Sequence, residues 1–191
     1  MKIFLASSSL SRLKLLEQAG FDTQQIIIKY DESTICSIAT PAKIYNQAVV
    51  NEKIYQFKEH FRGDLSKFLG NGALLFADSS VICEGQILGK AKDLREARKM
   101  LEMQSGNKAS VYTAMSVLCA DFSLQALSVT SFDFAHFDER QLEQYLASGE
   151  CFGKAGAMMI EGFCGRYILA QSGDISTAMG LDIPLLKRFF G

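Results

Sequence analysis

The stretch KIFLASSSLSRLKLLEQAGF, from Lys2 to Phe21, carries the strongest structural signal in the sequence. Its apolar start predicts a buried strand over residues 2–7, and a helical pattern follows over residues 10–19. Gly20 ends that pattern, as glycine commonly ends helices. A buried strand that leads directly into a helix is typical of α/β proteins.

Three serines and two cations lie at the junction of this strand and this helix. The helix is preceded by Ser7, Ser8 and Ser9, and its first turn contains Arg12 and Lys14. Cations are unfavourable there, because the unpaired amides make the start of a helix electropositive. A capping serine would explain one hydroxyl, whereas an anion bound by amides, hydroxyls and Arg12 would explain the whole group. The sequence has no P-loop and no G-x-G-x-x-G motif, so neither of those phosphate-binding folds is expected.

Size, charge and cysteine content favour an ordinary cytoplasmic globular protein. The chain has 191 residues, 48% of them hydrophobic, so residues 1–191 can form a single domain, with room for two lobes. A net charge of −1 provides no basic surface for duplex nucleic acid, and no apolar run is long enough to predict a membrane span. The five cysteines are odd in number and lack C-x-x-C spacing, so we expect reduced thiols rather than disulfides or a zinc site.

The rest of the sequence predicts strands and helices around a mixed sheet. A long helix opens at Thr40-Pro41 with an N-cap hydroxyl, and Lys53 borders its apolar stripe of Val50, Ile54, Phe57 and Phe61. ALLFA at residues 73–77 predicts a buried strand that ends at Asp78. Further strands are predicted at 24–30 and 166–171, and hairpins at 81–89 and at 109–119 with 123–136. Residues 63–72 are predicted to form a loop. Helices are predicted at 93–104, with Leu94 facing inward, from Asp138 to Gly149, and at 183–190.

Carboxylates follow two of the predicted strands. Asp78 comes after the strand at 73–77, at the kind of position where α/β proteins bind ligands. Asp78 has two possible roles: a functional one, as a general base or a metal ligand, and a structural one, as a residue that caps a turn. Its position in the sequence is compatible with both. Asp31-Glu32 follows the strand at 24–30, where a solvated loop is the ordinary explanation.

Lysines supply the matching positive charge. Lys53, Lys90 and Lys154 are of a type that most proteins leave in solvent, but glycine precedes both Lys90 and Lys154 and lets backbone and ligand come close. Taken with the serines, Arg12 and the carboxylates, these side chains suit the binding of a polyphosphate together with a divalent metal ion.

Seven short motifs, each weak alone, occur in one order along nearly the whole chain. They are Ser7-Ser8-Ser9-Leu10-Ser11-Arg12, Asp31-Glu32, Lys53 within NEK, Ala77-Asp78-Ser79-Ser80-Val81, Gly85-Gln86-Ile87-Leu88-Gly89-Lys90, Ser105-Gly106-Asn107, and Lys154-Ala155-Gly156-Ala157 with Glu161-Gly162. In this order the chain resembles the Maf family of septum-formation Maf-like proteins, which are nucleoside triphosphate pyrophosphatases.

The resemblance implies an α/β fold with a mixed twisted sheet, flanking helices and two lobes around a cleft, as in other house-cleaning nucleotide pyrophosphatases. It also implies that water attacks the α-phosphorus of a nucleoside triphosphate and releases the monophosphate and pyrophosphate, with Mg²⁺ or Mn²⁺ as cofactor. The expected partners are this nucleotide and, for a homodimer, a second copy of the chain. For this enzyme the resemblance also implies house-cleaning of the nucleotide pool and a link to cell division arrest. The alternative is a catalytically weak, nucleotide-binding regulator of septum formation that acts by protein contact.

The resemblance further implies roles for individual residues. Asp78 is the proton acceptor, Lys53, Lys90 and Glu32 are the other catalytic residues, and Asp78 and Glu32 are candidate metal ligands. The phosphate-binding residues are Ser7, Ser8, Ser9, Arg12 and Lys154.

Three positions that separate the branches of this family fit neither branch here. One branch acts on dTTP and UTP and carries Arg, Thr and Gln; another acts on 7-methyl-GTP and carries Trp, Gln and Glu. This chain has Ser11, Ser79 and Glu161. The preferred base is therefore open, although a carboxylate at Glu161 that reaches the base would favour guanine, which offers two adjacent hydrogen-bond donors.

Overall fold

The computed structural model describes residues 1–31, 35 and 41–191. Within these residues the strands are β1 (Lys2–Leu5), β2 (Thr23–Gln25), β3 (Gly72–Cys83), β4 (Gln86–Leu88), β5 (Lys108–Leu118), β6 (Ser123–Phe134) and β7 (Ile168–Ser172). The helices are α1 (Leu10–Gln18), α2 (Ala42–His60), α3 (Ser66–Leu69), α4 (Leu94–Gln104), α5 (Glu139–Ser148), α6 (Ile175–Ala178) and α7 (Ile183–Phe190), and a 3₁₀ turn spans Cys164–Tyr167.

The strands of the described residues join into one mixed seven-stranded sheet. Its order is β2-β1-β3-β5-β6-β7, and β4 pairs with β3. β1 lies parallel to both of its neighbours, so that Leu5 is opposite Gln25 of β2 and Leu75 of β3. The pairs β3–β4 and β6–β7 are antiparallel. A mixed sheet with flanking helices confirms the α/β fold class that the sequence predicts.

The chain divides into two compact units. Unit 1 consists of Met1–Asp78, Thr113–Ser128 and Asp174–Gly191, and unit 2 consists of Ser79–Tyr112 and Val129–Gly173. Each unit has a hydrophobic interior and a share of the predicted site residues, and each is described below by itself.

Unit 1 is built on β1 and β3, which are buried on both faces. Ile3 and Leu5 lie in one apolar cluster with residues of α1 and α7, whereas Phe4 and Ala6 lie in another with residues of α2 and α3. Alternate side chains of a strand point to opposite faces, so helices cover this part of the sheet on both sides. That coverage explains why IFLA at residues 3–6 and ALLFA at residues 73–77 are unbroken apolar runs.

Unit 2 contains α4 and α5, and an aspartate caps each of them. The Asp93 carboxylate accepts a hydrogen bond from the Glu96 amide, and the Asp138 carboxylate accepts one from the Gln141 amide, as the sequence predicts for Asp138. Beside them is an aromatic cluster formed by Phe134, Phe137, Tyr145, Phe163 and Tyr167.

The strand predicted at 73–77 does not end at Asp78, and this prediction is wrong in its boundary. β3 continues to Cys83, because its backbone finds a new partner in β4 after the parallel pairing with β1 stops at Leu75. The polar side chains that begin at Asp78 therefore mark the end of an apolar run, not the end of the strand. Asp78 nevertheless lies beyond the last parallel pair of β3 and β1.

The strand predicted at 24–30 is also shorter than expected. β2 consists of Thr23–Gln25, and after the Ile26 amide donates to the Leu5 carbonyl the chain leaves the sheet. Ile26, Ile28 and Tyr30 instead pack partly against the apolar cluster of α2 and α3. Their apolar side chains are used for packing without a strand partner.

Three other details differ from the sequence prediction. Residues 63–72 contain the short helix α3. Leu94 is 48% exposed, because it stands directly after the cap of α4 and precedes the buried stripe of that helix. α2 begins at Ala42 with Pro41 at the N-cap position, and Thr40 lies outside the described residues. The two hairpins and the helices at 93–104 and 183–190 are confirmed within two residues.

The described cysteines are free thiols, as expected: Cys83, Cys119, Cys151 and Cys164. Cys36 lies outside the described residues. Among the residues that the structure describes, no helix combines the length and the apolar character that crossing a membrane requires.

Candidate active site

Asp78 of β3 lies between two hydrogen-bond donors of helix α2. Its Oδ1 is 2.8 Å from Nζ of Lys53, and its Oδ2 accepts a hydrogen bond of 2.8 Å from the side-chain amide of Asn46. The side chains of Lys53 and Asp78 are only 10% and 15% exposed. Each carboxylate oxygen thus has one firm partner, which fixes the plane of the group and leaves further lone pairs for a water or a cation.

The helix α2 explains why two polar side chains meet the same carboxylate. Asn46 and Lys53 are seven residues apart, which is two helical turns, so they lie on one face of the helix. That face also carries Val49, Val50 and Phe57, all fully buried, and it packs on the sheet. The sequence prediction named Lys53 but missed Asn46. Its spacing from Lys53 on the buried face was the available signal.

The serines at the start of α1 have separate roles. Ser9 caps the helix, since its hydroxyl accepts a hydrogen bond from the Arg12 amide. Ser7 is buried, and its hydroxyl accepts from the Ser9 amide and from the Arg12 guanidinium. Ser8 is exposed, and Ser11 is half-buried in the first turn. The capping alternative therefore holds for Ser9, while Ser7 belongs to the surroundings of Arg12.

Arg12 joins the start of α1 to two other segments of unit 1. Its Nε donates to the Gly180 carbonyl at 3.0 Å, and its Nη1 donates to the Ala77 carbonyl at 3.0 Å. Ala77 is the residue before Asp78, so this guanidinium holds the backbone at Asp78. The unusual cation in the first turn has main-chain acceptors, and its contact with phosphate stays a prediction.

Unit 2 contains the second group of predicted residues. Lys90 follows β4 and is exposed, and its backbone forms an antiparallel bridge with Ala155. Lys154 therefore lies next to a residue that is paired with Lys90. Nζ of Lys154 is 3.8 Å from Oε1 of Glu161, so these two charges face each other at partly exposed positions. Ser79 is half-buried in β3.

The carboxylates after β2 are described only in part. The Asp31 backbone exchanges two hydrogen bonds with the side-chain amide of Gln56, at 2.8 and 2.6 Å, which ties this loop to α2. Glu32 lies outside the described residues.

The donor set can be compared with the needs of a divalent metal. No group of three or more His, Cys, Asp or Glu side chains that could hold a metal occurs in the described ranges 1–31, 35 and 41–191. Mg²⁺ is usually held by one or two carboxylates together with waters and substrate phosphates, so a dedicated cluster is not required. Asp78, with lone pairs left on both oxygens, fits the part of one such carboxylate.

A sequence model of the Maf-like protein family matches residues 2–191. The chain belongs to the Maf-like protein family. The resemblance read from the seven motifs is thereby confirmed over nearly the whole chain. The family match also includes the segments of both units in which the predicted site residues lie.

Named relatives align with this Maf-like chain from end to end. A nucleoside triphosphate pyrophosphatase of Campylobacter jejuni is 41% identical over 187 residues, which are 98% of this chain and 99% of the relative. One of the same name from Nitratiruptor sp. is 39% identical and covers 97% of both chains. A dTTP/UTP pyrophosphatase of Chromobacterium violaceum is 34% identical, over 100% of this chain and 95% of that protein.

A solved structure supports the fold of this Maf-like chain. The Staphylococcus aureus Ham1 protein superposes with a TM-score of 0.52, covering 99% of this chain and 97% of that one, at 13% sequence identity. The likeness confirms an α/β architecture shared with that protein. Such a low identity carries no residue roles from one chain to the other.

Proposed function

We propose that this Maf-like protein is a nucleoside triphosphate pyrophosphatase, a hydrolase that clears nucleotides from the cellular pool. The observation that carries the proposal is the alignment of 98% of the chain with relatives of that name at 41% identity. The position of Asp78 between Lys53 and Asn46 supports it, because a fixed carboxylate can orient a water or accept its proton, and a neighbouring cation stabilises charge on phosphate oxygens.

In the proposed reaction a water oxygen bonds to the α-phosphorus of the triphosphate. The bond from that phosphorus to the oxygen bridging the α- and β-phosphates breaks, and pyrophosphate leaves with the bonding electrons. Asp78 takes the proton of the attacking water, or orients the water for attack. Asn46 and Lys53 hold the carboxylate in place, and the ammonium of Lys53 adds positive charge where the oxygens gain negative charge.

The other predicted residues supply charge and donors for the polyphosphate. A triphosphate brings about four negative charges, which fixed cations and hydroxyls stabilise best. We assign to this role Ser7, Ser8, Ser9, Arg12, Lys90 and Lys154. Arg12 has a second task in this proposal, because its bonds to main-chain carbonyls fix the backbone next to Asp78.

A divalent metal, Mg²⁺ or Mn²⁺, belongs to the proposal as cofactor. Asp78 would be one protein ligand and Glu32 the other. When bound, the ion would neutralise charge on the phosphate oxygens.

The preferred base is the finer part of the proposal. The relatives at 41% identity carry no base in their names, whereas a relative at 34% identity is named for dTTP and UTP. As a set, Ser11, Ser79 and Glu161 match neither branch, although Glu161 alone is the residue of the 7-methyl-GTP branch. We propose that these three residues set the base preference of this chain. A homodimer, a cytoplasmic location and a link to cell division stay predictions from the sequence.

The experiment that tests the proposal measures the products of GTP, 7-methyl-GTP, UTP and dTTP with Mg²⁺ or Mn²⁺ in ¹⁸O-labelled water. We expect monophosphate and pyrophosphate in equal amounts, with the label in the monophosphate. Orthophosphate and a diphosphate as first products would refute cleavage between the α- and β-phosphates. No turnover of any triphosphate, together with measurable binding, would favour the regulator instead.

A further inference from the structure

The segment Lys154–Ala157 of unit 2 has an unusual backbone. Gly156 and Ala157 both have positive φ angles, +62° and +54°. For alanine the left-handed region is unfavourable, and a non-glycine residue in it persists only where surrounding contacts hold it. Both residues are buried. This short turn, which immediately follows Lys154, is therefore held by its neighbours.

Two side chains from different helices hold the carbonyls of this turn. The amide Nε2 of Gln104, in the last turn of α4, donates to the Gly156 carbonyl at 2.7 Å. The hydroxyl of Tyr145, in α5, donates to the Ala157 carbonyl at 2.8 Å. Burial raises the pKa of Tyr145 well above its ordinary value, so the hydroxyl stays protonated and remains a donor over the neutral range.

Gln104 is a costly residue to place at this position. It is completely buried, and its amide group also donates to the Met100 carbonyl at 2.8 Å. Within the described residues its Oε1 has no hydrogen-bond partner. A leucine or methionine would fill the same space without burying an unpaired oxygen. The benefit of glutamine here is its bond to the main chain of the turn.

The same turn is attached to the segment of the other lysine in unit 2. The Gly156 amide donates to the Gly89 carbonyl at 2.8 Å, and Lys90 and Ala155 form an antiparallel bridge. A Cβ on Gly156 would also lie 2.9 Å from the side chain of Val81 in β3, so the turn packs closely on the strand that pairs with β4 just before Lys90. Whatever fixes Gly156 and Ala157 therefore fixes the backbone that bears both Lys90 and Lys154.

We propose that Gln104 and Tyr145 are positioning residues that hold the turn at Gly156-Ala157 and thereby place Lys154 and Lys90 to bind the triphosphate. This inference rests on the proposed function, because it gives the two lysines a phosphate to bind. In this role neither Gln104 nor Tyr145 needs to contact the nucleotide. They act through main-chain carbonyls, so their removal should weaken substrate binding more than it slows the chemical step.

The first test compares two hydroxyl deletions within the aromatic cluster. Tyr145→Phe removes the bond to the Ala157 carbonyl and keeps the ring, which stacks on Phe163 at 4.8 Å. Tyr167→Phe is the matched control, because its ring also contacts Phe163 while its hydroxyl accepts from the Asp138 amide instead. We expect Tyr145→Phe to raise KM for GTP roughly three- to tenfold, the effect of one neutral hydrogen bond, with kcat nearly unchanged. Tyr167→Phe should leave KM unchanged.

The second test asks whether the effect passes through Lys154. Tyr145→Phe and Gln104→Met are each combined with Lys154→Ala in a double-mutant cycle. If they position Lys154, they should raise KM much less in the Lys154→Ala background than in the wild type. A full rise of KM both in that background and in a matching Lys90→Ala background, or equal KM values for Tyr145→Phe and Tyr167→Phe, would overturn the inference while the proposed function stood.

A third measurement does not depend on activity. The folded protein is treated with trypsin, and mass spectrometry measures the rate of cleavage after Lys154. This rate reports how firmly the turn is held. Tyr145→Phe and Gln104→Met should be cut several-fold faster there than wild type and Tyr167→Phe. Equal rates would overturn the inference. An inactive wild-type protein would contradict the proposed function, and the cleavage rates would still decide whether the two side chains hold the turn.

Discussion

The ammonium nitrogen of Lys53 lies 2.8 Å from Oδ1 of Asp78, in a pair that is largely buried in unit 1. Removing one member of a buried ion pair leaves the other charge without compensation, which costs on the order of 3 kcal/mol. The pair therefore links the stability of the fold to the proposed chemistry. For a variant at Asp78, both the free energy of unfolding and the turnover rate have to be measured.

The first prediction concerns Asp78→Asn, which keeps the shape of the side chain but removes its charge and basicity. We expect kcat to fall on the order of 10²- to 10⁴-fold, the usual loss for a general base, and the free energy of unfolding to fall as well. The double variant Lys53→Met with Asp78→Asn should regain stability, because no charge is left unpaired, but it should stay inactive. Asp121→Asn, at an exposed turn, is the control. Wild-type turnover in Asp78→Asn would reduce Asp78 to a structural residue.

The second prediction concerns Arg12→Ala. The substitution removes the donors that satisfy the carbonyls of Ala77 and Gly180, and we expect a loss of about 2 kcal/mol in unfolding free energy. KM for the triphosphate should rise, and kcat should fall because the backbone before Asp78 loses its anchor. Lys14→Ala, an exposed cation in the same helical turn, should change neither. If Arg12→Ala lowered the free energy of unfolding without changing KM, Arg12 would be a structural residue that does not contribute to binding of the triphosphate.

The third prediction tests the same anchor from the side of Gly180. This glycine has a φ of +113°, and an added Cβ would lie 3.0 Å from Nε of Arg12. Gly180→Ala should therefore lower both stability and activity. Gly63→Ala is the matched control, because its φ is also positive, at +75°, but nothing lies within 4 Å of the added carbon. Equal stability loss and full activity in both variants would mean that crowding at Arg12 is unimportant.

The sequence predicts the parts of this fold whose signal is local. The strand–helix junction at Ser9, the cap at Asp138 and the helix at 183–190 agree with the structure, because each depends on neighbouring residues only. The predicted end of β3 is wrong although the hairpin at 81–89 is confirmed, because the polar residues 78–80 hide the continuity of one strand from Gly72 to Cys83.

In the candidate site, too, residues within local motifs are predictable from the sequence, whereas residues that act through contacts between distant segments are not. Lys53 and Asp78 could be named from motifs, and the structure brings them together. Asn46, Gln104 and Tyr145 were not predicted as site residues, because their contacts join segments 12 to 52 residues apart. Buried polar side chains on otherwise apolar helix faces were the one available signal, and a single sequence does not show which of them are buried.

The fourth prediction concerns stability at alkaline pH. Burial raises the pKa of the Cys164 thiol from 9.0 to about 12. The unfolded chain ionises this thiol from about pH 9, whereas the folded protein keeps it protonated, so stability is complete below pH 9 and falls as pH rises towards 12. One such group contributes up to about 1.4 kcal/mol per pH unit. Urea unfolding should show that Cys164→Ala is destabilised at pH 8 and that its deficit relative to wild type shrinks by pH 11. A stability deficit of Cys164→Ala that stays the same from pH 8 to pH 11 would contradict the raised pKa of Cys164.

One observed interaction of Glu161 bears on base preference. Its carboxylate lies 3.8 Å from the ammonium of Lys154, and both side chains are partly exposed. At this distance the contact is a weak ion pair, which a phosphate could replace at Lys154. The carboxylate would then be available to accept hydrogen bonds from a base.

The last prediction is that wild type prefers guanine nucleotides and that Glu161→Gln reduces this preference. An ionised carboxylate only accepts hydrogen bonds, so it suits the adjacent N1–H and N2 donors of guanine, whereas uracil and thymine would turn carbonyl oxygens towards its charge. A mispaired group costs roughly 1–3 kcal/mol, which is about tenfold to hundredfold in kcat/KM. Ser11 offers no ring on which a methylated, cationic base could stack, so 7-methyl-GTP should gain little over GTP.

The measurement is kcat/KM for GTP, 7-methyl-GTP, UTP and dTTP in wild type, Glu161→Gln and the exposed control Glu150→Gln. A wild type that prefers dTTP or UTP, with no response to Glu161→Gln, would mean that this carboxylate does not contact the base, and the pyrophosphatase proposal would stand without it.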